Sequence, residues 1–277
     1  MKKVENVDPV ESHTAAKVCI DDVRVVFGRG KSAHTALDGV SFDLFHGETV
    51  GLVGESGCGK STLAKVLTSS IRPNSGRITI DGLNPVNLRR RERFEHRRSL
   101  QLIPQDPYSS LNPRATVGYA IAEALAPRRP SLKLNLDRVE ELLDLVKLPR
   151  GTSAKYPHEL SGGQRQRVAI ARALAIEPEV IIADEITSAL DVSVQAEILQ
   201  LLEGLRSSLS ITMLFISHNM AVVSQVCDRV AVLFQGRLVE IGSTADVFDS
   251  PADPYTRKLL ESVPGAPGFS LDRNERN

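Results

Sequence analysis

Short apolar runs alternate along most of this sequence with longer segments in which apolar residues recur every three or four positions. Short runs rich in Val, Ile and Leu are typical of buried strands, whereas the longer period is typical of helices. The alternation of the two favours an α/β fold in which helices cover a sheet. We predict strands at residues 23–27, 40–45, 49–53, 77–80, 100–103, 180–183, 212–216 and 229–234.

Two regions depart from this alternation. The early strands follow one another like hairpins, and we expect them to form a small antiparallel sheet beside the main one. Residues 107–174 contain few strand signals and much helical pattern, for example at residues 136–148, which predicts a helical insert. We expect one ordered domain over residues 17–262. The ends of the chain, residues 1–16 and 263–277, are polar or rich in Gly, Pro and charge, and they are predicted to be flexible tails.

Length and charge narrow the class of protein. A chain of 277 residues is long enough for one large domain, or for a core with a small satellite. The 34 basic and 34 acidic side chains cancel, so no general positive field would gather nucleic acid, and we expect no nucleic-acid partner. The basic segment 89–98 is interrupted by Glu92 and Glu95. A solvated helix face is the favoured interpretation of this segment, and contact with lipid headgroups is the weaker alternative.

Hydropathy gives no sign of a segment that inserts into a membrane. No apolar run approaches the roughly 18 to 20 residues that a membrane helix needs, and residues 1–10 lack the apolar centre of a signal peptide. We therefore expect the protein in the cytoplasm, or attached to a membrane through partners. Cys19, Cys58 and Cys227 are too far apart for paired metal-ligand spacing, so reduced thiols are expected.

A phosphate-binding loop is the strongest local signal. The segment that matches the P-loop pattern in full consists of Gly54, Glu55, Ser56, Gly57, Cys58, Gly59, Lys60 and Ser61. It follows a predicted strand and opens a predicted helix, and this context makes a plain glycine turn the poorer interpretation. The backbone N–H groups of such a loop bind phosphate oxygens, helped by the helix N-terminus. We predict that Lys60 reaches the β- and γ-phosphates of a nucleotide and that Ser61 binds Mg²⁺.

Two further strand ends carry side chains suited to nucleotide chemistry. The strand at 180–183 leads into Asp184 and Glu185. Because hard oxygen ligands suit Mg²⁺, Asp184 is predicted to bind the metal, and Glu185 to polarise the attacking water. The strand at 212–216 leads to His218, at the edge where parallel α/β sheets bind ligands, and we expect His218 to contact the γ-phosphate or Glu185. The alternatives are two surface acids and a structural histidine.

Residues 160–164 read Leu-Ser-Gly-Gly-Gln, and with the preceding motifs they make the chain resemble the ATPases of ABC transporters. The resemblance covers about residues 17–262. It implies a P-loop NTPase core of the RecA-like type with a small antiparallel β subdomain and an inserted α-helical subdomain. ATP and Mg²⁺ are the implied cofactors. The implied partners are two membrane permeases, an external substrate-binding protein and a second ATPase chain, at the cytoplasmic face of the inner membrane.

The resemblance also implies roles for individual residues. Gln105 fits the Q-loop glutamine, which touches Mg²⁺ and senses the membrane subunit, and His218 fits the switch histidine. Phe27 is the candidate that stacks on adenine, with a core position as the alternative. The implied catalytic residues are Glu185, His218, Gln105 and Lys60. Besides the P-loop itself, the implied nucleotide-binding residues are Thr62, Ser161, Gly162, Gly163, Gln164 and Asp191. Residues 160–164 form the signature pentapeptide of the family, and this segment would close over ATP bound to a second chain.

A narrower resemblance concerns cargo. Residues 106–114, residues 156–159 and the tail at 251–257 are similar to the oligopeptide, dipeptide and nickel importer ATPases. Asp253 departs from that pattern, where a histidine is usual, and Ile186 replaces the usual proline. These departures leave hydrolysis untouched. We expect an importer of oligopeptides or dipeptides, with nickel or a metal chelate and then a glutathione-like compound as the alternative cargoes. The cysteine cluster that some relatives carry for an iron–sulfur centre is missing from this sequence.

Three other classes of protein compete with a transport ATPase of the importer type. An ABC ATPase acting on DNA or ribosomes usually shows tandem units, coiled coils or zinc insertions, and none is visible here. A GTPase or kinase would lack the signature pentapeptide, and a GTPase would carry an Asn-Lys-x-Asp motif that this sequence lacks. An exporter ATPase made as a separate chain would look much like this one, so importer and exporter stay open at this point.

Overall fold

The structure, a computed structural model, describes residues 16–85 and 88–261. Apart from Ala16, the predicted tails lie outside the described residues. The chain folds into two sheets with helices around them. The helices are α1 (Lys60–Leu67), α2 (Arg90–Ser99), α3 (Pro107–Ser110), α4 (Val117–Leu125), α5 (Leu132–Leu145), α6 (Gly162–Leu174), α7 (Val192–Leu209), α8 (Met220–Val226), α9 (Thr244–Asp249) and α10 (Pro254–Glu261).

The smaller sheet is antiparallel and has three strands in the order β2–β1–β4. These are β1 (Val18–Phe27), β2 (His34–Leu44) and β4 (Ser75–Ile80). Each extends further toward its amino end than the predicted strand, because paired backbone continues past the apolar run that signals it. The expected small antiparallel sheet is present.

The larger sheet carries the order β5–β6–β7–β3–β8–β9. The first five strands in that order run parallel, and β9 pairs antiparallel with β8 at the edge. These strands are β3 (Thr49–Val53), β5 (Leu100–Ile103), β6 (Val180–Asp184), β7 (Thr212–Ile216), β8 (Arg229–Phe234) and β9 (Arg237–Ser243). Strand β9 was not predicted from the sequence.

The larger sheet is buried on both faces, which explains why its strands read as continuous apolar runs. Along β7, Met213 and Phe215 join one apolar core, whereas Leu214 and Ile216 join the other, because successive side chains of a strand point to opposite faces. The first core is shared with helices α4 to α8, and the second with α1 and the antiparallel sheet. The sheet is therefore fixed between two layers.

Between β5 and β6 the chain is helical. Residues 107–174, all of which have described backbone, contain α3, α4, α5 and α6 and no strand. Helices α4 and α5 pack on α6 through Ile121, Leu142 and Val168, all of them inaccessible to solvent. Among the helices that the structure describes, none combines the length and apolar character needed to cross a membrane.

A hydrogen-bonded anchor holds the C-terminal helix against β9. The Glu240 carboxylate accepts hydrogen bonds from the N–H groups of Ala252 (2.8 Å) and Asp253 (3.1 Å). Asp253 in turn accepts from the Tyr255 N–H (2.7 Å), so the aspartate caps α10 ahead of Pro254. Burial would raise the pKa of Glu240, but the hydrogen bonds it accepts outweigh burial and lower that pKa.

We expect Glu240→Gln to loosen residues 252–261. Glutamine offers one oxygen instead of two, and its amide nitrogen would face a backbone donor, so the loss should be about 1–3 kcal/mol of local stability. Because the native pKa of Glu240 is lowered, the wild-type anchor is at full strength above the ordinary glutamate pKa and weakens only as pH falls through the lowered value. Amide hydrogen exchange at neutral pH should be faster in residues 252–261 of the variant. Glu203→Gln, on an exposed position of α7, is the control, and equal exchange in both variants would contradict the anchor.

Candidate nucleotide site

The P-loop leaves the carboxyl end of β3 and enters α1 at Lys60. Glycine is required within it. Gly59 has φ of +114°, and a Cβ there would lie 2.5 Å from the Ala36 carbonyl oxygen. Gly54 has φ of +147°, and a Cβ there would lie 2.1 Å from the Leu233 carbonyl oxygen. The loop is thus packed against β2 and β8 so closely that side chains are excluded.

Two backbone oxygens of the loop hold the ammonium group of Lys60. Its Nζ donates to the carbonyl oxygens of Gly54 (2.7 Å) and Glu55 (3.0 Å), and only 5% of the residue is exposed. The Glu55 carbonyl also accepts from the Cys58 N–H (3.3 Å), which closes the turn. A cation held by neutral carbonyls at a helix N-terminus leaves this region positively charged and suited to an anion.

Cys58 lies inside the loop, 3.9 Å from the Lys60 Nζ. Burial raises the pKa of the Cys58 thiol, although the charge of Lys60 opposes that shift. A raised pKa disfavours the reactive thiolate. Cys58 is therefore a small buried side chain of the loop.

The turn between β8 and β9 also supports the loop. Gln235 and Gly236 both have positive φ, of 47° and 80°, as in a two-residue type I′ hairpin. The Gly236 N–H donates to the Cys58 carbonyl (2.9 Å), and the Gly236 carbonyl accepts from the Asp38 N–H (2.8 Å). One turn residue therefore links the P-loop to β2.

Asp184 ends β6 beside the first residues of α1. The nearby Ser61 hydroxyl acts to lower the pKa of its carboxyl group, while its Oδ1 is buried and has no hydrogen-bond partner among the described residues. Burial, and secondarily the charge of Glu185, raises the pKa of Asp184, while Lys60 acts in the opposite direction. A buried carboxylate oxygen without a donor, next to a hydroxyl oxygen, is a donor set that fits a hard divalent cation.

Glu185 gathers two of the predicted residues around its carboxylate. Its Oε2 accepts from the Gln105 Nε2 at 3.0 Å, and the His218 Nδ1 lies 3.4 Å from the same oxygen. The Glu185 N–H donates to the Ile216 carbonyl (2.9 Å) and its φ is +47°, so the backbone is fixed next to β7. The structure thus brings together residues from three strand ends, and the expected contact between His218 and Glu185 is present.

Ser188 belongs to the same cluster. Its hydroxyl donates to the Glu185 carbonyl oxygen (2.9 Å) and lies 3.4 Å from the Gln105 Nε2. Ser188 is not among the residues that the sequence predicts for the site. The spacing of three residues from Glu185 was the available signal, because a serine at that distance can close a turn onto the earlier carbonyl.

The signature segment caps helix α6. The Ser161 Oγ accepts from the Gln164 N–H (3.3 Å), and the Gln164 Oε1 accepts from the Ser161 N–H (3.0 Å), forming a capping box. A Cβ on Gly163 would lie 2.4 Å from a methyl carbon of Val194, whereas Gly162 is less crowded. In the part of the chain that the structure describes, no hydrogen bond joins Ser161 or Gln164 to the P-loop.

The remaining predicted residues lie apart from this cluster. Asp191 caps α7, because its carboxylate accepts from the Val194 N–H (2.9 Å) and the Ser193 hydroxyl (2.8 Å), and these bonds lower its pKa. Thr62 is half-buried in the first turn of α1. Phe27 ends β1 and is 43% exposed, so the alternative that it belongs to the core is wrong.

One contact to the P-loop was not predicted. The Glu55 N–H donates to the Tyr255 hydroxyl oxygen at 3.0 Å, 200 positions apart in sequence. The sequence placed Tyr255 only in a tail motif. No periodicity or local motif could indicate that this tail folds back onto the loop.

Two family matches cover most of the chain. Residues 37–188 match the family described as "ABC transporter", and residues 239–271 match "Oligopeptide/dipeptide transporter, C-terminal region". The first match spans more than half of the sequence and contains the P-loop, Asp184 and Glu185. The second begins within β9 and contains α9 and α10.

The names of similar curated proteins agree with these two family matches. A Brucella ovis protein, provisionally named a peptide import ATP-binding protein, is 50% identical over 82% of this chain and 72% of its own length. Oligopeptide transport ATP-binding protein OppF of Bacillus subtilis is 45% identical over 86% and 79% respectively. Glutathione import ATP-binding protein GsiA of Pectobacterium atrosepticum is 51% identical over 83% of this chain but only 37% of its own length.

Solved structures share the fold. CbiO1 from Clostridium perfringens, part of an ABC transporter complex, superposes with a TM-score of 0.75 at 29% identity, covering 85% of this chain and 91% of its own. A dimeric ATP-binding cassette in a post-hydrolysis state with ADP and Pi gives a TM-score of 0.71 at 30% identity, covering 82% and 98%. The chain therefore belongs to the ABC transporter family of ATPases. Its P-loop, its two sheets and its helical insert are those of that family's ATP-hydrolysing cassette.

We expect Gly59→Ala to damage both the loop and nucleotide binding. Positive φ and the approach of the Ala36 carbonyl would cost about 1–3 kcal/mol of stability, as measured by urea unfolding. Titration with a fluorescent ATP analogue should show weakened binding in parallel. Gly204→Ala is the matched control, since it lies in α7 with open space around it and should stabilise the helix by up to about 1 kcal/mol. Equal stability of the two variants would contradict the close packing of the loop.

Proposed function

We propose that this chain is the ATP-hydrolysing subunit of an importer of oligopeptides or dipeptides. The observation that carries the proposal is the joint presence of the P-loop cluster and the C-terminal segment at residues 239–271, which matches the oligopeptide and dipeptide transporter family. The Brucella ovis and Pectobacterium atrosepticum relatives are named import ATP-binding proteins, which supports transport inward. A tandem ATPase acting on DNA or ribosomes receives no support from them.

In this proposal the P-loop binds the phosphates of ATP. Lys60 already has its ammonium group inside the loop, from where it would turn toward the β- and γ-phosphates. The N–H groups at the start of α1 would bind phosphate oxygens alongside it. The exposed ring of Phe27 at the end of β1 is available for stacking on the adenine base.

Ser61 and Asp184 would hold Mg²⁺, with Gln105 as a further oxygen ligand. The support is the buried Asp184 Oδ1 without a partner and its neighbouring hydroxyl. Bound Mg²⁺ would neutralise charge on the phosphates as it develops during transfer. A raised pKa on Asp184 means that metal binding displaces its proton more readily as pH increases.

Glu185 would act as the general base on the attacking water. Its carboxylate is held by Gln105 and His218, and a carboxylate held by two partners has a fixed orientation toward the water whose proton it would accept. His218 would also contact the γ-phosphate. Gln105 follows β5 and leads into the helical insert, and it would couple occupancy of the site to movement of that insert.

The partners in this proposal are two permeases, an external substrate-binding protein and a second ATPase chain, with the protein peripheral at the cytoplasmic face of the inner membrane. The second ATPase chain is needed because Ser161 and Gln164 make no hydrogen bond with the P-loop of their own chain within the described residues. The dimeric cassette among the structural neighbours supports such a pairing. Glutathione import is the second candidate function, favoured by the 51% identity with GsiA.

We expect Glu185→Gln to bind Mg-ATP normally and to hydrolyse it at least about 100-fold more slowly, because the phosphate loop is intact and only the base is lost. Single-turnover hydrolysis and nucleotide titration separate the two effects. Glu203→Gln, on the exposed face of α7, should leave both at wild-type values. Unchanged turnover in Glu185→Gln would remove Glu185 from catalysis.

Vesicles that contain the two cognate permeases test the transport role with the same pair of variants. Labelled oligopeptide, delivered by the binding protein, should accumulate with wild-type chain and ATP, and should not accumulate with Glu185→Gln. Uptake of labelled glutathione without uptake of other peptides would favour the second candidate. Active ATPase with no uptake of either compound would overturn the importer assignment.

A shared site predicts complementation between two inactive variants. Ser161→Arg keeps its own P-loop but should block the site of its partner, and Lys60→Ala does the reverse. If the chain forms homodimers, mixing the variants restores one intact site in each mixed dimer, and ATPase activity should partly recover. Recovery only after addition of a different ATPase chain would indicate a heterodimer. Full activity from a demonstrably monomeric chain would rule out the shared site.

A further inference from the structure

The C-terminal segment touches the nucleotide loop through one side chain. Tyr255, in the first turn of α10, accepts a hydrogen bond from the Glu55 N–H at 3.0 Å. Its ring lies against Phe234, the last residue of β8, with centroids 4.2 Å apart. The contact between the rings holds the Tyr255 hydroxyl against the loop, at the carboxyl end of β8. The contact therefore depends both on β8 and on the docking of α10 through Glu240.

The geometry of one peptide unit gives this contact its importance. The Glu55 N–H and the Gly54 carbonyl belong to the same trans peptide, so they point in opposite directions from one rigid plane. The N–H edge is bound by Tyr255, and the carbonyl edge accepts from the Lys60 Nζ at 2.7 Å. Rotation of that plane would break both hydrogen bonds together. Fixing one edge therefore fixes the other.

We propose that Tyr255 is a positioning residue for Lys60: its hydroxyl fixes the Gly54–Glu55 peptide plane, and this plane determines where the Lys60 ammonium group rests before ATP binds. The inference rests on the proposed function, because Lys60 must be the residue that meets the phosphates. It assigns to the C-terminal segment a task at the nucleotide site of its own chain.

The surroundings of Tyr255 favour a permanent contact. Burial raises the pKa of the Tyr255 hydroxyl, so it stays a neutral phenol that accepts from a backbone N–H at working pH. The Glu240 anchor leaves the segment little freedom, since it binds Ala252 and Asp253 immediately before α10. An acceptor on a docked helix holds a loop N–H with less entropy loss than a free side chain would.

The variant that isolates the hydroxyl is Tyr255→Phe, which keeps the ring against Phe234. We expect it to weaken ATP binding about 2- to 10-fold, the size of one net hydrogen bond. Tyr119→Phe is the matched control: Tyr119 is an exposed tyrosine of α4, 40% exposed, and its loss of a hydroxyl should leave affinity unchanged. Affinity is measured on the full chain with a fluorescent ATP analogue.

A double-mutant cycle with Lys60→Ala distinguishes positioning from general stability. If Tyr255 acts through Lys60, Tyr255→Phe should change the affinity of Lys60→Ala by less than about 2-fold, so the effects are not additive. The same fold-loss in both backgrounds would show that Tyr255 supports the loop in general and would overturn the proposal. Wild-type affinity in Tyr255→Phe would overturn it as well.

Amide exchange of the nucleotide-free chain gives a second, independent measurement. Peptides containing Glu55 should exchange faster in Tyr255→Phe than in wild type or Tyr119→Phe, and unchanged exchange there would contradict the contact. The same measurements distinguish failure of the proposed function from failure of this inference. A wild-type chain that binds no ATP would overturn the proposed function. Equal ATP binding by the wild-type chain and Tyr255→Phe would overturn only the role of Tyr255.

Discussion

The site depends on one constraint, the parallel alignment of β6, β7 and β3 inside a sheet covered on both faces. Parallel strands bring their carboxyl ends to one edge, so Asp184, His218 and the P-loop meet although they are far apart in sequence. The two cores fix the register of these strands, because a slip of one residue would exchange the side chains of the two faces. That alignment brings the buried cation of Lys60 and the half-buried carboxylate of Asp184 to the same edge of the sheet.

Much of this arrangement could be predicted from the sequence, because its signals are local. The strands of the parallel sheet are short apolar runs between turns, and those at 49–53, 100–103, 212–216 and 229–234 have the observed bounds. The P-loop pattern requires its own strand and helix, so its place at the end of β3 followed from its residues. Acids directly after an apolar strand could be placed at the same edge by the same logic. The roles given to these residues in hydrolysis stay predictions.

The features that the sequence did not indicate are held by hydrogen bonds and have no apolar pattern that would signal them. Strand β9 is only partly buried and carries polar and apolar residues without a clean alternation, so its hairpin turn at Gln235 and Gly236 was the one available signal. The contact of Tyr255 with Glu55 joins positions 200 residues apart and requires the hydrogen bonds of Glu240, which no periodicity encodes. Phe27 shows the converse: an aromatic residue at a strand end is compatible with a core or an exposed position, and only the fold decides.

The short turn between β8 and β9 has a consequence for how this chain can vary. Surface hairpins ordinarily absorb insertions, because nothing else is built on them. Here the Gly236 N–H binds the P-loop and its carbonyl binds β2, so an added residue would displace both attachments at once. Insertions, epitope tags and circular permutation are therefore excluded at this turn, where Gly236 is buried. A change in the length of this turn would alter the conformation of the phosphate-binding loop.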